Sequence, residues 1–215
     1  SWKGTSRGVS FFSGLKMTGW WDTMSSQPSA AASSTTSGVM SSVTRTRDAS
    51  PPQSTNRPGL SQLSASASGA GMRVLIAQLL KDDRSGELAQ LKRLPGVTVL
   101  PAPAAIPFPA QMGPAELAQT AERHNAMLRE ALSRCASGAC GLLVLDEALD
   151  ACRYGLLDEA LLRRAVLEKP PALELVVTGH KPVDWVIERA DYVTEMVCRR
   201  HPYARGVPAR RGIEF

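Results

Sequence analysis

The chain has 215 residues, 43% of them hydrophobic and 21% charged, with 25 Lys and Arg against 20 Asp and Glu and a formal charge of +5. Such a length accommodates one ordinary domain plus a tail, or two small domains. It contains no run of 18 apolar residues and nothing that reads as a secretory leader, so the expectation is a cytoplasmic protein that does not engage a membrane.

Residues 1–70 hold 18 Ser and 8 Thr, only two acidic residues (Asp22 and Asp48) and few aliphatics. Such a segment buries too little apolar surface to offset chain entropy, so a long disordered tail is expected there, followed by one domain over 71–215. The tail carries six basic residues against two acidic, which leaves 19 basic and 18 acidic in the domain, about +1. A nucleic-acid footprint belongs on the folded face, so nucleic-acid binding is not expected. Cys135, Cys140, Cys152 and Cys198 form no C-x-x-C pair, which argues against zinc and for reduced, buried thiols.

The aliphatic run Met72-Arg-Val-Leu-Ile-Ala-Gln78 predicts a buried parallel strand. Ser85-Gly-Glu87-Leu-Ala-Gln-Leu91 predicts a short helix that Pro95-Gly96 ends, and Val97 to Leu100 a second strand. Five prolines (101, 103, 107, 109 and 114) make 101–114 an irregular loop. Leu117, Ala121, Leu128 and Leu132 recur at helical spacing to about Cys135. A central strand is expected over 141–145, a helix over 156–167, a strand over 173–178, a helix over 182–190 and a last strand over 192–197. This alternation predicts an α/β fold, a parallel sheet with helices on both faces.

Ligands of open α/β sheets bind beyond the carboxyl ends of the strands, which singles out three places. Asp146-Glu147 follows the central strand, where two carboxylates either hold a magnesium ion or simply cap the next helix. Thr178-Gly179-His180 follows the next strand, where a hydroxyl and a glycine would admit a nucleotide, although His180 also reads as an ordinary loop histidine. Gln78 and Lys81 follow the first strand, placed to reach phosphates or a nucleotide edge, while 81–84 also reads as a solvated turn.

The series Leu-Val-Leu-Asp146-Glu147, Arg153-Tyr154-Gly155-Leu-Leu-Asp158, Val-Val-Thr178-Gly179 and Ala190-Asp191-Tyr-Val-Thr-Glu195-Met196 leads to the closing His201-Pro202-Tyr203-Ala-Arg-Gly206-Val-Pro-Ala-Arg-Arg-Gly212-Ile213-Glu214-Phe215. Taken together, these motifs resemble the ATP:corrinoid adenosyltransferases of cobalamin biosynthesis, those acting on cob(I)alamin or cob(I)yrinic acid a,c-diamide. The closing segment is the most specific part, and it departs from the family pattern at Ala204, Arg205 and Arg210. The resemblance covers about residues 69–215.

The resemblance implies a P-loop, RecA-like fold, a homodimer, and transfer of the 5′-deoxyadenosyl group of ATP to the Co(I) of a reduced corrinoid with release of triphosphate. It implies a magnesium ion at Glu147 with Asp146 beside it, and family positions for Arg153 and Glu195 without a role for either. Many members carry a Gly-Phe-Thr-Trp element whose aromatics sit against the corrinoid, whereas the loop here offers only Phe108. A RecA-like motor fragment fits the closing segment poorly.

One part of the pattern is missing. The Gly-x-x-x-x-Gly-Lys-Ser/Thr loop that cradles phosphates occurs nowhere in the chain, so the first strand and the P-loop are expected to be absent. Ser61-Gln-Leu-Ser-Ala-Ser-Ala-Ser68-Gly69 stands where the family has a helix reading roughly Ala-Ala-Ile-Gly-Leu-Ala-Leu-Arg. With GC-rich codons, a shifted frame of this run reads Ala-Leu-Gly-Leu-Gly-Val-Arg, so a frameshift upstream of about Gly69 accounts for the gap. As written, the chain is expected to be impaired, and the alternative is a non-catalytic relative that binds a corrinoid or a partner.

Overall fold

The computed structural model describes residues 39–45, 58–82, 86–103, 105–181, 183–197 and 205–207. Six strands form one sheet: β1 (Val39–Arg45), β2 (Val74–Gln78), β3 (Val97–Val99), β4 (Leu142–Asp146), β5 (Glu174–Gly179) and β6 (Tyr192–Val197). Their order is β3-β2-β4-β5-β1-β6, and every neighbouring pair is parallel. The helices are α1 (Pro58–Gly69), α2 (Leu88–Leu91), α3 (Pro114–Ala136), α4 (Ala148–Arg153), α5 (Glu159–Leu167) and α6 (Asp184–Ile187).

Strands β2 and β4 are buried along their whole length, as continuous aliphatic runs must be when both faces of a sheet are covered. Alternate residues feed two cores. Leu75, Ala77, Leu143, Leu145, Leu175 and Val177 pack with Met127, Leu128 and Ala131 of α3 and Leu162 and Ala165 of α5. On the opposite face, Val74, Ile76, Leu142, Val144 and Val176 pack with Leu63 and Ala67 of α1 and Leu88 and Leu91 of α2. The expected arrangement of helices on both faces is therefore present.

Two described elements, β1 and α1, lie inside the segment expected to be disordered. The backbone of β1 pairs with β5 on one side and β6 on the other, filling the sheet position expected to be empty. Helix α1 buries Leu63, Ser64 and Ala67 against the sheet. A strand paired on both sides draws hydrogen bonds from its neighbours, and a Ser/Ala helix needs only a narrow apolar stripe where small side chains allow close approach. Residues 1–38 and 46–57 lie outside the described residues.

Cys135 and Cys140 form a disulfide, with Cα atoms 5.2 Å apart, in place of the reduced thiols expected. The chain reverses at Gly138, φ +71°, just after α3, bringing the two cysteines within bridging distance. Cys152 is a free thiol, and Cys198 lies outside the described residues. The sequence also gave no sign of α4, a short helix at the exit of β4.

Candidate active site

The chain leaves β2 towards β3 on one side and leaves β4 towards β5 on the other. Connections that diverge in this way open a crevice at the carboxyl ends of the two strands, where α/β sheets bind ligands. Gln78 and Asp146 are the paired last residues of β2 and β4, and Lys81 and Glu147 follow them. Four of the six nucleotide and metal candidates thus stand at the point where the topology makes a site.

Their electrostatics are tightly arranged. Lys81 Nζ donates to Asp146 Oδ2 at 2.7 Å and lies 3.7 Å from Glu87 Oε1. Burial would lower the Lys81 pKa, but Asp146, Glu147 and Glu87 outweigh it and raise it above the ordinary lysine value. Lys81 is a cation held by carboxylates, not the solvated turn that one reading of 81–84 allowed. Gln78 Nε2 donates to Glu87 Oε1 at 3.3 Å.

Thr178 and Gly179, expected as nucleotide contacts, make close contacts within the protein. Thr178 is fully buried and its hydroxyl serves the protein, donating to Asp146 Oδ1 at 2.7 Å and accepting from the Glu147 N–H at 2.8 Å. A Cβ on Gly179 would lie 2.5 Å from Leu149 Cβ, so the glycine permits close packing on α4. Strand β5 therefore fixes the Asp146 carboxylate and the backbone of Glu147.

The only two non-glycine residues with positive φ among the described residues are Leu80, +56°, and Glu147, +60°. They flank the Lys81 and Asp146 pair. Such conformations cost of order 1–3 kcal/mol and gather at functional sites. Leu80 is secured by His124, whose Nε2 accepts from the Leu80 N–H at 3.4 Å while Nδ1 lies 3.0 Å from the Leu156 carbonyl. These partners define a neutral imidazole carrying its proton on Nδ1, and burial lowers the His124 pKa against the opposing pull of that carbonyl. His124 lay hidden in the sequence because it occupies one more position on an amphipathic helix.

A cleft between α1 and the ends of β2 and β4 is lined by Ser61, Ser64, Gln78, Lys81, Glu87 and Asp146. Ser64 Oγ and Gln78 Oε1 are buried there without a hydrogen-bond partner. Buried polar atoms are rarely left so, and a cleft ending on two of them suits a polar ligand. Phe108 stands apart from these residues in the proline-rich loop, its ring 6.4 Å from that of Tyr154 and inclined at 69°. His180 is held by Asp150, and the side chain of Glu195 and most of the closing segment lie outside the described residues.

A parallel sheet flanked by helices, with an acidic pair and a lysine at its switch point, defines an α/β protein. The family model described as ATP:corrinoid adenosyltransferase BtuR/CobO/CobP matches residues 61–215, and the chain belongs to that family. It is 31% identical over 158 residues to a corrinoid adenosyltransferase of Pseudomonas aeruginosa, covering 70% of this chain and 73% of that protein. To a corrinoid adenosyltransferase of a Sinorhizobium species it is 40% identical over 75 residues, 34% of this chain and 35% of that protein. Among the described residues, no helix is long and apolar enough to cross a membrane.

Proposed function

We propose that the crevice between β2 and β4 is the nucleotide end of a site that transfers the 5′-deoxyadenosyl group of ATP to the Co(I) of a reduced corrinoid, in cobalamin biosynthesis or salvage. A cobalt–carbon bond forms as the C5′–O bond breaks, and its electron pair leaves with triphosphate. Since Co(I) is the nucleophile, the chain need supply no covalent nucleophile. Its work is to orient the substrates and balance charge.

The observation that carries this reading is the convergence of Gln78, Lys81 and Asp146 on a cleft that holds buried, unpartnered polar atoms. Glu147, partly exposed, would hold magnesium, with Asp146 beside it already engaged by Lys81 and Thr178. No cluster of three metal-ligating side chains occurs among the described residues, and the donor set fits magnesium, which takes one or two carboxylates and completes its shell from phosphates and water. Bound there, the ion neutralises the triphosphate. Lys81 and Gln78 face the nucleotide, Thr178 and Gly179 hold the acidic pair in place, and Phe108 meets the corrinoid. The enzyme acts in this reading as a cytoplasmic homodimer on small molecules alone.

The present chain is impaired in this reading. A P-loop is a strand, a glycine-rich loop with its lysine, and a helix. Here β1 and α1 supply the strand and helix, while residues 46–57 between them contain neither Gly nor Lys. That observation favours a second reading, a relative that binds a corrinoid or a partner without turnover. It also fits a frameshift upstream of Gly69, which reading the gene in three frames tests: a Gly-x-Gly-Lys-Thr stretch in another frame supports it, and its absence removes it. The function itself is tested by titrating the chain with cob(II)alamin, with and without ATP and magnesium. Saturable corrinoid binding is expected, and no binding under either condition overturns the reading.

A further inference from the structure

Beside the acidic pair lies a second constellation that the nucleotide end leaves unused. Asp150, in the first turn of α4, is 2% exposed. Its Oδ2 accepts from the His180 N–H at 2.6 Å and lies 2.8 Å from His180 Nδ1, and its Oδ1 accepts from Arg153 Nη2 at 3.2 Å. A buried carboxylate is costly unless it is paired and hydrogen-bonded, so these contacts carry a structural purpose. Burial would raise the Asp150 pKa, yet His180 and Arg153 outweigh it and hold the group below the usual carboxylate value.

The chain of contacts continues outward. Arg153 also donates to the Tyr154 hydroxyl at 2.9 Å and lies with its guanidinium carbon 4.5 Å from the Tyr154 ring centre. That ring meets Phe108 edge to face at 6.4 Å. Phe108 stands in a loop rich in proline, outside every strand of the sheet, so Tyr154 gives its ring a fixed neighbour. A planar guanidinium gripped by a buried carboxylate is a rigid support, which a lysine would not reproduce.

We propose that Asp150 is a positioning residue that sets the place of the Phe108 ring through Arg153 and Tyr154, while its other oxygen ties the exit of β5 to α4 through His180. One buried carboxylate thereby joins the strand that fixes Asp146 and Glu147 to the loop that offers the aromatic contact. The role assigned to Phe108 rests on the corrinoid reading above. The link from Asp150 to Tyr154 does not.

The test compares Phe108→Ala, Asp150→Asn, Arg153→Lys and the double variant Phe108→Ala/Asp150→Asn, titrating each with cob(II)alamin and, separately, with ATP and magnesium. Each single variant weakens corrinoid binding roughly three- to tenfold, the fold-change that a lost aromatic contact carries, while Phe108→Ala and Arg153→Lys leave nucleotide binding as in the parent. The double variant binds no more weakly than Phe108→Ala alone. Effects that add independently overturn the proposal, as do Asp150→Asn and Arg153→Lys variants that bind as the parent does. Arg153 is partly exposed, so Arg153→Lys keeps the test decisive should Asp150→Asn fail to fold. If Phe108→Ala changes nothing, the corrinoid role of Phe108 falls, and the positioning is judged directly by fluorotyrosine NMR, with Tyr154 assigned from Tyr154→Phe. A Tyr154 resonance that moves in Asp150→Asn and Arg153→Lys supports it; one that stays in place overturns it.

Discussion

Lys81 Nζ lies 2.7 Å from Asp146 Oδ2, joining the segments that leave two neighbouring parallel strands at the point where their connections diverge. Asp146 is 1% exposed and the Lys81 side chain 12%, so the pair is screened little by water. Lys81→Met leaves the carboxylate without its cation and should cost roughly 3 kcal/mol of stability. The double variant Lys81→Met/Asp146→Asn should recover part of that loss. Denaturant unfolding of the three variants checks it, and a double variant that merely sums the single losses argues against a coupled pair.

Thr178→Val keeps the shape of β5 but removes the hydroxyl that holds the Asp146 carboxylate and the Glu147 backbone N–H. The expected loss is about 1–3 kcal/mol, and magnesium-dependent ATP binding should weaken along with it. Isothermal titration against ATP with and without magnesium separates the two effects. A variant that is destabilised yet binds as the parent does would limit Thr178 to folding.

Gly179→Ala drives a Cβ to 2.5 Å from Leu149 Cβ. Since α4 must shift to admit it, the variant should lose about 1–3 kcal/mol. Leu149→Gly in the same chain removes the clashing Cβ and should recover part of the loss, and a melting experiment on single and double variants reads the rescue.

His124 supplies a pH dependence. Its folded pKa is lowered from 6.5, so the unfolded chain takes up the proton first as pH falls. The stability it contributes is present above pH 6.5 and is lost progressively below it. Melting temperatures between pH 8 and pH 5 should therefore fall on the acid side. His124→Gln, which retains a donor and an acceptor, should flatten that part of the curve, and an unchanged curve would remove His124 as its source.

Cys152 should resist alkylation. Burial, with Glu159 and Asp158 adding to it, pushes its thiol up to about 12, and only the thiolate reacts. Iodoacetamide at pH 8 followed by peptide mass spectrometry should leave Cys152 largely unmodified in the folded chain and modify it after denaturation.

The sheet was legible wherever an aliphatic run is buried on both faces, as at Val74 to Gln78 and Leu142 to Asp146, because such runs admit few alternatives. The residues of the proposed crevice were legible too, since Gln78 and Asp146 end aliphatic strands and Lys81 and Glu147 come soon after them. Strand β1 was not, because Val39 to Arg45 carries no such run and its place is given by β5 and β6, more than a hundred residues away in sequence. Thr178 and Gly179 were found as residues, but their use was not: only the three-dimensional neighbours show the hydroxyl committed to Asp146 and the glycine to Leu149. The tie of Asp150 to His180 and that of His124 to Leu156 left no local signal, since these partners lie 30 and 32 residues distant.

The central claim is that this chain keeps the frame of an ATP:corrinoid adenosyltransferase while residues 46–57 lack the phosphate-gripping sequence. The most direct measurement supplies ATP, magnesium and chemically reduced cobalamin and follows cobalt–carbon bond formation by absorbance. It is made for the chain as written and for one carrying a Gly-x-x-x-x-Gly-Lys-Thr loop between β1 and α1. The account predicts negligible turnover in the first and turnover in the second. Turnover by the unaltered chain, or silence from the grafted one, would contradict it.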